Sequence, residues 1–416
     1  MNKIKKFFSS LGPGLVTGAS DDDPSGIATY SMAGARAQYS TLWTALFTFP
    51  LMSAIQEMAA RIGLVTGSGL VGTMKLHYPK ILLYFIVVLV VVANSINIGA
   101  DLAGMAAASN LLFGIPPLIY GLFYTIFIVA TMIFVPYHTF ARYLKWLTLA
   151  LFTYVAVAII TDQNWIQIFY NTIVPKISFD PEYIILIVAI FGTTISPYLF
   201  FWQANEEVEE IEEDKKVRKL KRHIVTKHEL KRMRGDVAAG MFFSNIVMFF
   251  IIATAASTLF ANGVHEIKTA DEAASALRPL AGDASALLFT LGIVGTGLLA
   301  IPVLAGSAAY ALTEALGWPE GLNKKFREAK AFYLIIVLST ILGFAINLLG
   351  INPFTALFYT AVLYGAISPV LILILLHIAN KKSIMGVHTN GTISNILVGA
   401  TFLIMAFSVG ALIFVR

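Results

Sequence analysis

Cysteine is absent from the chain. Its absence excludes disulfides and thiolate ligands, and leaves oxygen, imidazole and thioether groups as the side-chain donors for any metal. Charge is scarce as well. Asp, Glu, Lys and Arg make up 13% of 416 residues against 57% hydrophobic, and the mean hydropathy is +0.77. Soluble globular domains carry about a quarter charged residues, so a soluble enzyme is excluded and no nucleic-acid partner is expected. Histidine is rare, with seven in the chain. None lies within several positions of the mid-span serine Ser196, His77 and His138 fall near span ends, and no His-Glu-x-x-His motif occurs. An intramembrane hydrolase would need an activated nucleophile or a metal-activated water, so neither an enzymatic activity nor a cofactor is expected.

What the chain has is long apolar runs. Each helical crossing takes ~20 apolar residues, and runs of that length joined by short polar segments describe an all-α polytopic membrane protein, not a barrel of alternating strands. The basic start Met1 to Lys6 resembles that of a signal peptide, but Gly12, Pro13 and Gly14 interrupt the apolar run after it, and it is read as the mature start. Eleven spans are expected, the first a broken pair around Asp23. The others cover roughly 41–66, 80–111, 116–136, 140–161, 182–205, 236–261, 283–314, 329–350, 354–379 and 392–415. The whole chain, 1–416, reads as one transmembrane domain. Lys3, Lys5, Lys6, Lys75, Lys80, Arg142, Lys145, the basic residues of 215–234, Lys324 to Lys330, Lys381 and Lys382 fall on one side, so the N-terminus is expected in the cytoplasm of a plasma-membrane protein and Arg416 outside. The single long polar segment, about 205–236, begins with the acidic run Glu206 to Glu210 and is expected to be a solvated cytoplasmic helix, with a cation funnel as the alternative. Loop 262–282 is expected outside, with a short surface helix.

Two stretches break the apolar pattern. Asp21, Asp22 and Asp23 stand between short apolar runs and are followed by Pro24, Ser25 and Gly26, so a continuous helix fails there. Ionisable groups at membrane depth are costly and mark an ion or substrate path. In the sixth span, Pro197 frees a carbonyl one turn earlier, near Thr193. The two interruptions stand five spans apart. In a ten-span core of two five-helix halves, roughly 10–161 and 182–379, they point to a midplane site between inverted repeats, with a last helix at about 392–415. In the third span Asn94, Asn97, Asp101, Gly104 and Ala108 share one small or polar face, with Asp101 favouring a wet or paired environment. Glu57 and Arg61 are four apart and are expected to pair. Gly292, Gly295, Gly297 and Gly306 are expected to pack helices closely.

Gly12-Pro13-Gly14, then Asp23-Pro24, then Gln56 with Ala59-Ala60-Arg61-Ile62-Gly63, and Asp101-Leu102-Ala103 before Asn110 to Pro116 together resemble the NRAMP family of divalent-metal transporters. The resemblance implies a LeuT-like fold with broken helices 1 and 6 and inverted repeats of spans 1–5 and 6–10. That family carries Asp-Pro-Gly-Asn in its first helix and Met-Pro-His in its sixth. Carried over, Asp23 matches the metal-binding aspartate, and the carbonyls of Ser20 and Thr193 match main-chain ligands. Gly26 stands in place of the asparagine ligand, Ser196 in place of the methionine, and Tyr198 and Gln203 in place of two histidines. Asn94 and Gly104 replace two proton-path glutamates, while Asp101 remains. Thioether sulfur favours Mn²⁺ or Fe²⁺ over Mg²⁺ and Ca²⁺, so its loss removes that selectivity. A site widened by Gly26, Ser25 and Ser196, with Asp21 and Asp22 adding charge, suits a largely hydrated Mg²⁺. Asn97, Asp101, Gln203, Tyr198 and Glu57 would then touch the ion's waters or border its path. The pattern is similar to the NRAMP-related magnesium transporters. Uptake of Mg²⁺, and of Mn²⁺ alongside it, without proton coupling is the expected function, and a proton-coupled Mn²⁺/Fe²⁺ symporter is the alternative. A LeuT-fold amino-acid transporter has no use for three adjacent carboxylates, which would repel a substrate carboxylate.

Overall fold

The computed structural model describes residues 12–135, 149, 151–161, 163–218 and 225–414. The basic N-terminus Met1 to Lys6, Arg142, Lys145, residues 219–224 of the charged segment and Arg416 lie outside them, as do residues 140–148 and 150 of the expected fifth span.

The first span is broken as expected. Helix α1 (Pro13–Asp21) ends where Asp22 turns to φ −84°, ψ 51°, and α2 (Pro24–Ala37) begins after an extended Asp23. Pro24 at the first position of α2 costs nothing, because the N–H it lacks has no intrahelical partner there. The chain continues through α3 (Trp43–Thr66), α4 (Leu70–His77), α5 (Lys80–Phe113), α6 (Pro117–Phe134), α7 (Phe152–Ile160) and the short α8 (Trp165–Ile173). The sixth span also breaks. Helix α9 (Pro181–Thr194) stops at Ile195, with φ −114° and ψ 56°, and α10 (Pro197–Arg218) restarts on Pro197. Next come α11 (Lys227–Thr258), α12 (Ala270–Ser275), α13 (Ser285–Leu316), α14 (Lys330–Asn347), α15 (Pro353–Asn380) and α16 (Thr392–Phe414). Among the described residues, eight helices are long and apolar enough to cross a bilayer. The broken first span and α3, each expected to cross, fall outside these eight, and the expected fifth span is described in part.

Helix α5 packs chiefly on α13 and α14, α9 on α15, and α11 on both α1 and α2. The α1–α11 contact is close because it is made of glycine. A Cβ on Gly18 would run into the backbone of Gly240, and one on Gly14 would come within 2.6 Å of Val237 N. Outward faces carry Val88, Val92, Leu122, Phe123, Leu403 and Phe407, all exposed in the isolated chain, as lipid-facing side chains are.

The charged segment departs from expectation. Helix α10 runs on past 205 to Arg218, and α11 starts at Lys227, nine residues before the expected 236. Glu206, Glu207 and Glu209 are buried, not solvated. Glu209 accepts from Tyr310 Oη at 2.8 Å and from the backbone N–H of Leu322 at 2.9 Å, which ties α10 to the segment after α13. The cost of burying these carboxylates is offset by such donors, and a run of acids in sequence does not reveal them. In loop 262–282 a short helix does form, α12, with a Thr269–Glu272 capping box.

Candidate metal site

The two breaks meet. Tyr198 Oη, in the first turn of α10, donates to the Ser20 carbonyl in the last turn of α1 at 2.9 Å. Across the other halves, Tyr30 Oη of α2 lies 3.1 Å from Thr194 Oγ1 of α9. A Cβ on Gly26 would fall 3.2 Å from the Asp21 carbonyl and 3.3 Å from Thr193 Oγ1, so only a residue without a side chain leaves this space clear. The unwound backbone of both helices therefore lines one location.

Asp21, Asp22 and Asp23 are all buried there. Asp23 caps α2: one carboxylate oxygen accepts the Gly26 N–H at 2.6 Å, and the other accepts Asn97 Nδ2 of α5 at 3.0 Å. One turn along α5 from Asn97, Asp101 is fully buried and neither of its oxygens has a hydrogen-bond partner. Asp21 and Asp22 turn the other way, toward α11, where Ser244 Oγ is 2.6 Å from Asp21 Oδ2 and 3.3 Å from Asp22 Oδ1. Among the described residues, no three acidic or histidine side chains converge closely enough to hold one ion between them.

The structure brings the other expected ligands to the same place with their own partners. Ser196 Oγ donates to the Thr193 carbonyl at 2.5 Å, with the Gly192 carbonyl 3.1 Å away, closing the frayed end of α9. The Ser20 and Thr193 carbonyls thus each accept one hydroxyl, and each keeps a second lone pair. Asn94 is locked in a neutral network: its Nδ2 donates to the Leu304 carbonyl at 3.0 Å and Ser307 Oγ at 2.8 Å, and its Oδ1 accepts from Tyr364 Oη at 2.8 Å. Gln203 accepts from Thr17 Oγ1 at 2.6 Å and donates to Glu207 Oε1 at 3.0 Å. That chain leads from α1 to a cavity of about 250 Å³ lined by Glu207, Glu210, Arg232 and Asp236 among others. Glu57 is placed elsewhere. It pairs with Arg61 at 3.2 Å and Arg234 at 2.9 Å, while Arg61 also holds the His388 carbonyl and Asn390; its contacts tie helices together and do not include the aspartates.

Ser244, Tyr364 and Asp236 were not among the expected residues. Ser244 had a signal in the sequence, since Ser244-Asn245 is a polar pair in the apolar run of α11. Asp236 accepts the N–H groups of Gly12 and Gly14 at 2.8 and 2.7 Å, so its carboxylate caps α1 from α11.

Residues 14–415 match the family described as natural resistance-associated macrophage protein-like. Among curated relatives, the divalent metal cation transporter MntH of Caldanaerobacter subterraneus subsp. tengcongensis is 23% identical over 390 residues, covering 92% of this chain and 87% of that protein. The protein of the same name from Deinococcus radiodurans is 24% identical over 395 residues, covering 92% and 84%. Among solved structures, the Eremococcus coleocola manganese transporter in complex with an aromatic bis-isothiourea substituted compound superposes with a TM-score of 0.76 at 17% identity, over 100% of this chain and 88% of that one. Mhp1, a nucleobase-cation-symport-1 family transporter, superposes with a TM-score of 0.57 at 12% identity, over 97% and 92%. At these identities the structural likeness carries the LeuT-like fold.

Proposed function

The chain belongs to the natural resistance-associated macrophage protein-like family of divalent metal cation transporters, and we propose that its cargo is a largely hydrated Mg²⁺, with Mn²⁺ as a second substrate. The observation that carries this reading is that Asp21 and Asp22 turn to Ser244 on α11, which leaves the single carboxylate of Asp23, beside Gly26 and Asn97, to the ion. An ion stripped of water needs ligands on one point. Mg²⁺ dehydrates reluctantly and usually keeps several waters while touching one or two carboxylates, which suits acceptors spread around it. Hydroxyls, amides and carbonyls surround the breaks, and Ser196, where the family carries methionine, turns its hydroxyl onto its own helix. No thioether at that position favours the softer Mn²⁺ or Fe²⁺.

On this reading the N-terminus is cytoplasmic, as the basic segments indicate, and transport is uptake by alternating access, with the line Thr17, Gln203, Glu207 leading to the acidic cavity on the inner side. The ion moves without a proton. Asp23 is the indispensable ligand, since one change removes both the cap of α2 and the carboxylate nearest Asn97. Asp23→Ala should abolish Mg²⁺ uptake into proteoliposomes while the protein still elutes as a monodisperse species. Uptake at the unmodified rate by that variant would sink the assignment.

A further inference from the structure

Asp21, Asp22 and Asp23 are consecutive, yet the break in the helix splits them into two loci. Asp21 still belongs to α1, and Asp23 is already the extended cap of α2. The second locus, on the α11 side, is short of donors. Ser244 has one hydroxyl proton and faces one oxygen of Asp21 and one of Asp22, so it satisfies one of them at a time. The remaining oxygen of Asp21, Oδ1, has no hydrogen-bond partner although the residue is fully buried. Among the described residues neither aspartate forms an ion pair with a basic side chain. Buried acceptors with neither donor nor counter-charge are strongly destabilising.

We propose that Asp21, Asp22 and Ser244 form a second cation site, for a hard divalent ion of the transported class, separate from the one at Asp23. The inference rests on the reading of Asp23 as a metal ligand only for the word second. Two carboxylates neutralise a divalent charge, the Ser244 oxygen keeps its lone pairs for the ion, and water completes the oxygen shell that Mg²⁺ or Mn²⁺ takes. Neither sulfur nor imidazole belongs to the set, so a soft ion gains nothing there.

The test counts ions. The purified full chain is dialysed to equilibrium against Mg²⁺, and separately against Mn²⁺, and bound metal per chain is measured by atomic emission. The unmodified protein should hold two ions. Ser244→Ala and Asp22→Asn should each hold one, Ser244→Thr should restore two, and Asp23→Asn should hold one while losing uptake. A single bound ion in the unmodified protein, lost altogether in Asp23→Asn, would overturn the proposal. So would a second equivalent that equimolar Na⁺ displaces, or a count of two that survives Asp22→Asn. If Asp23→Asn still takes up Mg²⁺, the reading of Asp23 fails while the count at Asp22 and Ser244 stands on its own.

Discussion

Replacing Asp236 with Asn should release α1 from α11. The carboxylate accepts the Gly12 and Gly14 N–H groups at 2.8 and 2.7 Å, at the positive end of α1. Hydrogen bonds to a charged acceptor contribute about 1.5–3 kcal/mol each. Asparagine keeps one acceptor oxygen but turns an NH₂ donor toward the other N–H, so one bond and the charge at the helix end are lost, about 2–3 kcal/mol together. At about 1.4 kcal/mol per factor of ten, the population with α1 detached should rise on the order of thirtyfold to a hundredfold. The lack of cysteine gives the assay a clean background. Thr17 is fully buried on α1, so a thiol placed there by Thr17→Cys reacts with a water-soluble maleimide only when α1 moves. Its labelling rate should increase by that factor in the Asp236→Asn background, provided opening is fast relative to alkylation. Equal rates in the two backgrounds, with full labelling after denaturation, would refute the claim that this cap holds the helix.

Gly18→Ala should lower the Tm of the detergent-solubilised protein, because a methyl there meets the Gly240 backbone and overpacking costs about 1–3 kcal/mol; an unchanged Tm would show that the two helices separate freely. Ser196→Met combined with Gly26→Asn should shift binding toward Mn²⁺, measured by calorimetry as a change in the ratio of Mg²⁺ to Mn²⁺ affinity, and a ratio equal to that of the unmodified protein would contradict the oxygen-only account of selectivity. Mg²⁺ uptake at zero membrane potential should leave a pH-sensitive dye inside the vesicles unchanged; metal-dependent acidification, absent from empty vesicles, would show that protons travel with the ion.

Both breaks were legible, but proline alone was not their signal. Pro50, Pro302 and Pro369 lie inside continuous helices. The prolines that mark breaks sit beside several polar residues, Asp21, Asp22, Asp23 and Ser25 in the first span and Thr193, Thr194 and Ser196 in the sixth, whereas Pro369 follows a lone serine, Ser368, within unbroken α15. The split of the three aspartates was not legible, because it arises from the backbone angles of Asp22 and from Ser244, more than two hundred residues away in sequence. The acidic run failed for the same reason. Charged residues in a polar segment read as solvated, and only the folded chain brings Tyr310 and the Leu322 N–H to Glu209. Glu57 with Arg61 was legible because an i, i+4 pair is local.

The positions where the resemblance leads one to expect a proton path are occupied by groups that hold their hydrogens. Asn94 uses both its amide nitrogen and its oxygen, in bonds to Leu304, Ser307 and Tyr364. Gln203 does the same between Thr17 and Glu207, and Tyr198 is committed to the Ser20 carbonyl. An amide neither gains nor loses a proton near neutral pH, so it positions what lies beside it and carries nothing onward. Asp101 therefore faces Asp23 with no titrating neighbour along its own helix face toward Asn94. Around the two breaks the ionisable side chains among the described residues are the carboxylates of Asp21, Asp22, Asp23 and Asp101 and the phenols of Tyr30 and Tyr198, and on the proposed reading the ion that enters is the carboxylates' counter-charge. On the proposed reading the drive is the membrane potential: two positive charges crossing ~100 mV release ~4.6 kcal/mol, from ~2.3 per charge. That energy corresponds to about three decades of concentration. On that reading it is enough to accumulate the ion with no proton gradient.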